Sequence, residues 1–182
     1  MSPTETQKAW IADAISASTQ EVFATMLSLE IAPEGAAETE RTPQPGLVAL
    51  IGLAGIWSGA GSLTCSGAFA CSMASSFLAN PCETVNEEVL DAVGEIANMI
   101  IGNVKTALEE RFGTMGLSTP TIIYGGNFQT RSARIHEWIV VPFVCGSERM
   151  TVQVCVAPNQ ASARPNMAAG LHLAPALPVG DF

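Results

Sequence analysis

The chain has 182 residues, enough for one domain with a sizeable core. Hydrophobic residues make up 48% and charged residues 14%, and eight Lys plus Arg against seventeen Asp plus Glu leave a formal charge of −9. That balance excludes a disordered chain, and it argues against nucleic-acid binding, which needs a basic stripe to displace counterions from phosphate.

The amino terminus, MSPTETQKAWIADAISAS, carries polar and acidic residues where a signal peptide needs a basic and then an apolar region, so a cytoplasmic protein is expected. From Thr6 to Leu29 the apolar residues Trp10, Ile11, Ala14, Ile15, Val22, Phe23, Met26 and Leu27 recur every three to four positions, which predicts an amphipathic helix. Ala32 to Pro45 mixes Pro, Gly, Glu and Thr without periodicity and reads as a loop.

No charged residue occurs from Thr42 to Cys82, and the run from Leu47 to Leu63 is long enough to cross a bilayer. Its glycines at 52, 55, 59 and 61 weaken a helix, Pro43 and Pro45 precede it, and no Lys or Arg cluster flanks it. The expectation is therefore no membrane span but two buried strands joined near Trp57 and Ser58. Ser66 to Ala79 comes next as a short helix, with Phe69, Met73, Phe77 and Leu78 at helical spacing.

The strongest helical signal starts at a cap on Thr84 or Asn86, has Glu87 and Glu88 in its first turn, and runs to Phe112 before Gly113. Val89, Val93, Ile96, Ile100, Val104, Ala107 and Leu108 form its apolar face. Asp91, Glu95, Asn98, Gly102, Lys105 and Glu109 form one polar stripe on the other side. Three strands are expected after it: TPTIIYG after Ser118, then IHEWIVVPFV from Ile135 and RMTVQVCV from Arg149 as a hairpin. Residues 158–182 are Pro- and Ala-rich and read as a tail behind a single domain of residues 1–157.

Glu95 to Ile101 can be laid over Glu21 to Leu27, and each helix precedes a set of strands, so the halves look like degenerate copies. Familiar catalytic patterns are missing: there is no phosphate-binding loop, nucleophile elbow or His-Glu-x-x-His helix. The cysteines at 65, 71, 82, 145 and 155 form no Cys-x-x-Cys pair and no zinc spacing. Neither a disulfide framework nor a metal site is expected, and His136, in a strand-like run, reads as structural.

There remains the polar stripe. Glu95 and Asn98 project side by side, a carboxylate able to grip a cation beside a carboxamide that both donates and accepts. Gly94 and Gly102 bracket them at a helix-weakening cost of about 1 kcal/mol each, which suggests close packing or docking. Residue chemistry alone also allows an ordinary solvated helix face.

The residues Gly94-Glu95-Ile96-Ala97-Asn98-Met99-Ile100-Ile101-Gly102-Asn103-Val104-Lys105-Thr106, the segment Ser118-Thr119-Pro120-Thr121-Ile122-Ile123-Tyr124-Gly125 and the early helix TQEVFATMLSLE resemble the CheX family of chemotaxis phosphatases, related to the CheC and flagellar-switch phosphatases. The resemblance spans roughly Ala9 to Val156. It implies a pseudo-symmetric α+β fold, with a mixed or antiparallel β-sheet carrying two long helices and a short one. It also implies a phosphatase acting on the aspartyl phosphate of a CheY-like response regulator.

In that reading Glu95 contacts the regulator's lysine and Asn98 orients the attacking water, with Asp91, Gly94, Gly102 and Lys105 as the docking surround. The resemblance places Mg2+ in the regulator and gives this chain no cofactor of its own. Ala24 stands where the first copy would carry its Asn, so a single active site is implied. A non-catalytic module of the same fold, docking on a receiver domain or signalling assembly, is the alternative. A homodimer pairing edge strands between chains is compatible with both.

Overall fold

A computed structural model of the chain describes residues 3–34, 46–126 and 137–159. Helix α1 (Glu5–Val22) opens with a capping box, in which the Thr4 amide donates to Gln7 Oε1 at 2.8 Å and the Gln7 amide donates to Thr4 Oγ1 at 3.3 Å. Its continuation is not regular: Phe23–Leu27 form a π-turn that ends at Ser28 in the left-handed region (φ 54°). The wider turn shifts the angular positions of the side chains along it. Phe23 and Leu27 stay buried while Met26, expected in the apolar stripe, is exposed at 46%.

The charge-free run forms an antiparallel pair, β2 (Gly46–Gly55) and β3 (Trp57–Ser66), turning at Ile56. Among the described residues no helix is long and apolar enough to cross a membrane. Helix α2 (Gly67–Leu78) begins immediately after β3, its first turn capped by Ser66 Oγ accepting from the Phe69 amide at 3.0 Å. Helix α3 (Glu87–Phe112) is capped by Asn86, whose side chain accepts from the Val89 amide at 3.0 Å, with Glu87 and Glu88 at the positive end of the helix dipole.

The second half continues with β4 (Met115–Leu117), β5 (Thr121–Gly125), β6 (Ile139–Cys145) and β7 (Glu148–Pro158). Two short strands go beyond the sequence reading. Ala32–Pro33 form β1, paired with Val144 and Phe143 of β6, where a loop was expected, and β4 precedes the expected Pro-Thr strand. Neither is long enough to show a period of two. β6 begins at Ile139 rather than Ile135, since residues 137 and 138 are not in a strand and 135 and 136 lie outside the described residues. β7 keeps Ala157 and Pro158, and the expected tail lies outside the described residues from 160 onward.

All strand pairs are antiparallel, in the order β1-β6-β7-β3-β2, with β4 and β5 end to end along the free edge of β2. Exchanging β1 with β5, β2 with β6 and β3 with β7 reverses this order onto itself. The backbone therefore has a pseudo-twofold between β3 and β7, which relates α1 to α3.

The core lies between one sheet face and the helices: Leu47, Ala49, Ile51, Leu63, Val152 and Val154 meet Ile96, Ile100, Ile101 and Val104, all nearly inaccessible. Phe112 closes the end of α3 between Trp10 (ring centroids 6.0 Å apart) and Trp57 (4.4 Å), and the Arg111 guanidinium lies 4.2 Å above the Trp10 ring.

Two glycines of β3 allow the close approaches. A Cβ on Gly61 would stand 2.6 Å from Ile101 Cδ1, and one on Gly59 would overlap the carbonyl oxygen of Cys155 in β7. The second obstacle is backbone and cannot turn aside. Gly59→Ala is therefore expected to destabilise the fold by about 1–3 kcal/mol or more, measured by urea unfolding, whereas exposed-site substitutions such as Thr106→Ala should stay within about 0.5 kcal/mol.

Candidate functional site

Eleven of the 26 residues of α3 are buried, and their spacing settles which side of the helix faces outward. Asp91 and Glu95 are exposed, and Asn98, Gly102, Lys105 and Glu109 are half-buried, so the expected stripe stands along one continuous edge of the helix. Among the described residues neither the Glu95 carboxylate nor the Asn98 carboxamide has a side-chain hydrogen bond or ion pair with the protein. Both groups are presented on a helix whose backbone is held by the core beneath.

The surroundings come from two directions. On one side α1 runs antiparallel to α3, and Asn103 Nδ2 donates to Glu21 Oε2 at 3.5 Å. On the other side lie β4 and β5. A Cβ on Gly94 would meet Ile122 Cδ1 at 3.5 Å and Pro120 Cβ at 3.9 Å, and one on Gly102 would meet Leu117 Cδ1 at 3.7 Å. Of the two readings open for these glycines, Gly94 takes close packing: it is buried against its own chain. Gly102 remains partly open beside Asn98.

Lys105 is engaged within the chain. Its Nζ lies 2.8 Å from Glu109 Oε2, while Glu109 Oε1 accepts from the Met115 amide at 2.8 Å. The Lys105 hydrogen bond, and after it that of the amide, holds the Glu109 carboxyl below the usual carboxylate range. By contrast Asp91 and Glu95, with Glu87 and Glu88, make the first half of α3 an acidic face among whose described neighbours no basic side chain is paired to them.

Elsewhere the chemistry is quiet. All five cysteines are free. Burial, then Glu148 and Cys71, push the Cys65 thiol up to about 12, and burial raises Cys155 as well, so neither is a nucleophile at neutral pH. Among the described residues no cluster of His, Cys, Asp and Glu could hold a metal ion. His136, His172 and the segment 127–136 lie outside the described residues.

The sequence reading missed Leu117 and Tyr124, exposed at 37% and 45% on the strand edge beside α3. Leu117 Cδ1 approaches the open position at Gly102, and the Tyr124 ring would meet a Cβ on Gly67 at 3.3 Å. Pro120 inside the expected strand was the available signal, since proline marks an edge or a bulge, and it lies between β4 and β5.

Gly102→Ala should raise stability by about 1 kcal/mol in denaturant unfolding, because the added methyl meets only ordinary contact and a helix-interior glycine is removed. Because the folded Glu109 carboxyl is held below the ordinary 4.5, its contribution to stability is present above that value and lost as pH falls through the lower folded one. In acid titrations of unfolding free energy, Glu109→Gln should show a shallower loss below pH 4.5 than the parent chain.

The family described as the chemotaxis phosphatase CheX matches residues 47–144, from β2 to β6 and including all of α3. No curated protein sequence matches the chain. Among solved structures it is similar to the chemotaxis protein CheX of Vibrio vulnificus, at 28% identity and TM-score 0.71 over 82% of this chain and 98% of that one. It is similar also to CheX of Desulfovibrio desulfuricans, at 25% identity and TM-score 0.71 over 81% and 99%. A CheX–CheY–BeF3–Mg2+ complex from Borrelia burgdorferi shares the fold, at 22% identity and TM-score 0.66 over 79% and 96%. With more than half of the chain matched and the pseudo-symmetric helix-and-sheet fold in place, the chain belongs to the CheX family of chemotaxis phosphatases.

Proposed function

We propose that the protein is a cytoplasmic phosphatase that hydrolyses the aspartyl phosphate of a CheY-like response regulator. The observation that carries this reading is the pair on α3, an exposed Glu95 and a half-buried Asn98 with no side-chain partner among the described residues, in a member of a phosphatase family. In the reaction a water oxygen attacks phosphorus in line, the bond from phosphorus to the aspartyl oxygen breaks, and inorganic phosphate and a free carboxylate result. Such a transfer is driven by positioning and electrostatics, so an oriented amide suffices and no general base is needed on this chain.

Asn98 supplies that amide, holding the water with its carbonyl oxygen while its NH2 group donates to the phosphoryl oxygens. Glu95 meets the regulator's lysine, and the acidic first half of α3, including Asp91, favours the approach of that cation. Gly102 leaves clearance beside Asn98, Gly94 holds the helix close to β5, and Lys105 borders the contact while tied to Glu109. The Mg2+ that neutralises phosphoryl charge belongs to the regulator. A homodimer paired through edge strands would carry one such site per chain.

The test is the rate of acyl-phosphate loss from receiver domains charged with acetyl phosphate. Asn98→Ala is expected to lower the stimulated rate by about 100-fold or more while its circular dichroism and unfolding midpoint stay at the parent values. Glu95→Ala should chiefly raise KM, by about tenfold, with a weaker salt dependence. Binding of a receiver with unchanged decay would instead mark a non-catalytic docking module.

A further inference from the structure

Along the free edge of β2 the pairing register changes by one residue. Leu53 stands opposite Leu117, and Leu50 stands opposite Thr121. Gly52 and Ile51 of β2 therefore face Ser118, Thr119 and Pro120. Ser118 is the partner of Gly52, since its amide donates to the Gly52 carbonyl at 2.9 Å. Thr119 and Pro120 are thus both opposite Ile51, which defines a β-bulge, and proline, having no amide proton to donate, fits such a position.

The Ser118 side chain clamps this bulge. Its hydroxyl accepts from the Gly52 amide at 2.8 Å, where a main-chain carbonyl would serve in an unbroken ladder, and donates to the Thr119 carbonyl at 2.9 Å. The clamp also sets side-chain parity. Residues 117 and 122 are an odd number apart and would point to opposite faces of an unbroken strand. With the extra residue both reach α3, Leu117 at Gly102 and Ile122 at Gly94.

Gly94, Asn98 and Gly102 are four residues apart and form one row of α3. The two glycine seats straddle the bulge, and Asn98 lies midway between them. We infer that Ser118 is a positioning residue for Asn98: by clamping the bulge it keeps Leu117 and Ile122 beside the row of α3 that carries the amide, and so sets the local placement of that turn on a helix whose overall height and roll the core holds. The kinetic consequence rests on the phosphatase reading, whereas the structural one does not.

The experiment compares Ser118→Ala, which loses both hydrogen bonds, with Ser118→Thr, which keeps the hydroxyl, in the full chain. With a receiver domain phosphorylated by acetyl phosphate, Ser118→Ala should lower kcat by about tenfold or more with KM within about twofold, and Ser118→Thr should restore kcat to within about threefold. Amide hydrogen exchange of residues 95–102 should quicken about tenfold in Ser118→Ala and stay at parent rates in Ser118→Thr.

Unchanged exchange in Ser118→Ala, or equal behaviour of the Ala and Thr variants, overturns the inference. If the parent chain hydrolyses no receiver's acyl phosphate, the phosphatase reading fails and the exchange rates alone decide the role of Ser118. If Ser118→Ala does not fold, Ile122→Ala, which removes one seat, takes its place with the same expected exchange and kcat changes, and its failure to show them overturns the inference.

Discussion

The burial of α3 on the sheet is the constraint on which the rest of the structure depends. Ile96, Ile100, Ile101, Val104 and Leu108 are fully inaccessible, and Gly61 lets Ile101 settle against the central strands with no side chain between. A helix held along one face over its whole length can neither roll nor slide without exposing that face or overlapping the strand. Its opposite side is therefore presented at a fixed angle, which the water alignment proposed for Asn98 would require. The helix glycines weaken α3 locally, but tertiary burial outweighs their cost of about 1 kcal/mol each.

The two sides of α3 divide the labour: one is buried in the core, and the other carries the few polar groups the proposed chemistry needs. In the proposed reaction the phosphoryl group and its electrophilic surroundings would be brought by the partner. On that proposal this chain would add only the Asn98 amide and the Glu95 carboxylate, both free of intramolecular side-chain partners among the described residues. Lys105 shows the contrast: it is paired with Glu109, whose other oxygen accepts from the Met115 amide and ties the helix to β4, so it serves the frame as much as any partner.

Much of this was legible in residue spacing because the long elements carry strong periods. The apolar residues of α3 from Val89 to Leu108 define its face, Asn86 and Gly113 bound it, and the charge-free run divides into β2 and β3 at Ile56, just before the expected join at Trp57 and Ser58. The short elements were not legible. Ala32–Pro33 and Met115–Leu117 are strands only because β6 and β2 offer them free edges, a tertiary cause with no local signature. Met26 was misplaced for a different reason: a π-turn alters the angular step per residue, which a 3.6-residue template does not contain. In the site, the Glu95–Asn98 pair could be read from spacing, but the neighbours of Gly94 and Gly102 are contributed by a strand edge more than a dozen residues further along.

The pseudo-twofold of the sheet is preserved in strand order yet broken in the helices. α3 passes through the turn of Asn98 and continues to Phe112, whereas α1 reaches the matching turn at Ala24 within a π-turn and stops at a left-handed Ser28. One half of the repeat is thereby released from presenting a long outward helix face. A partner that reads such a face would find one among the described residues of a chain, so on the proposed reading valence would rise by bringing chains together.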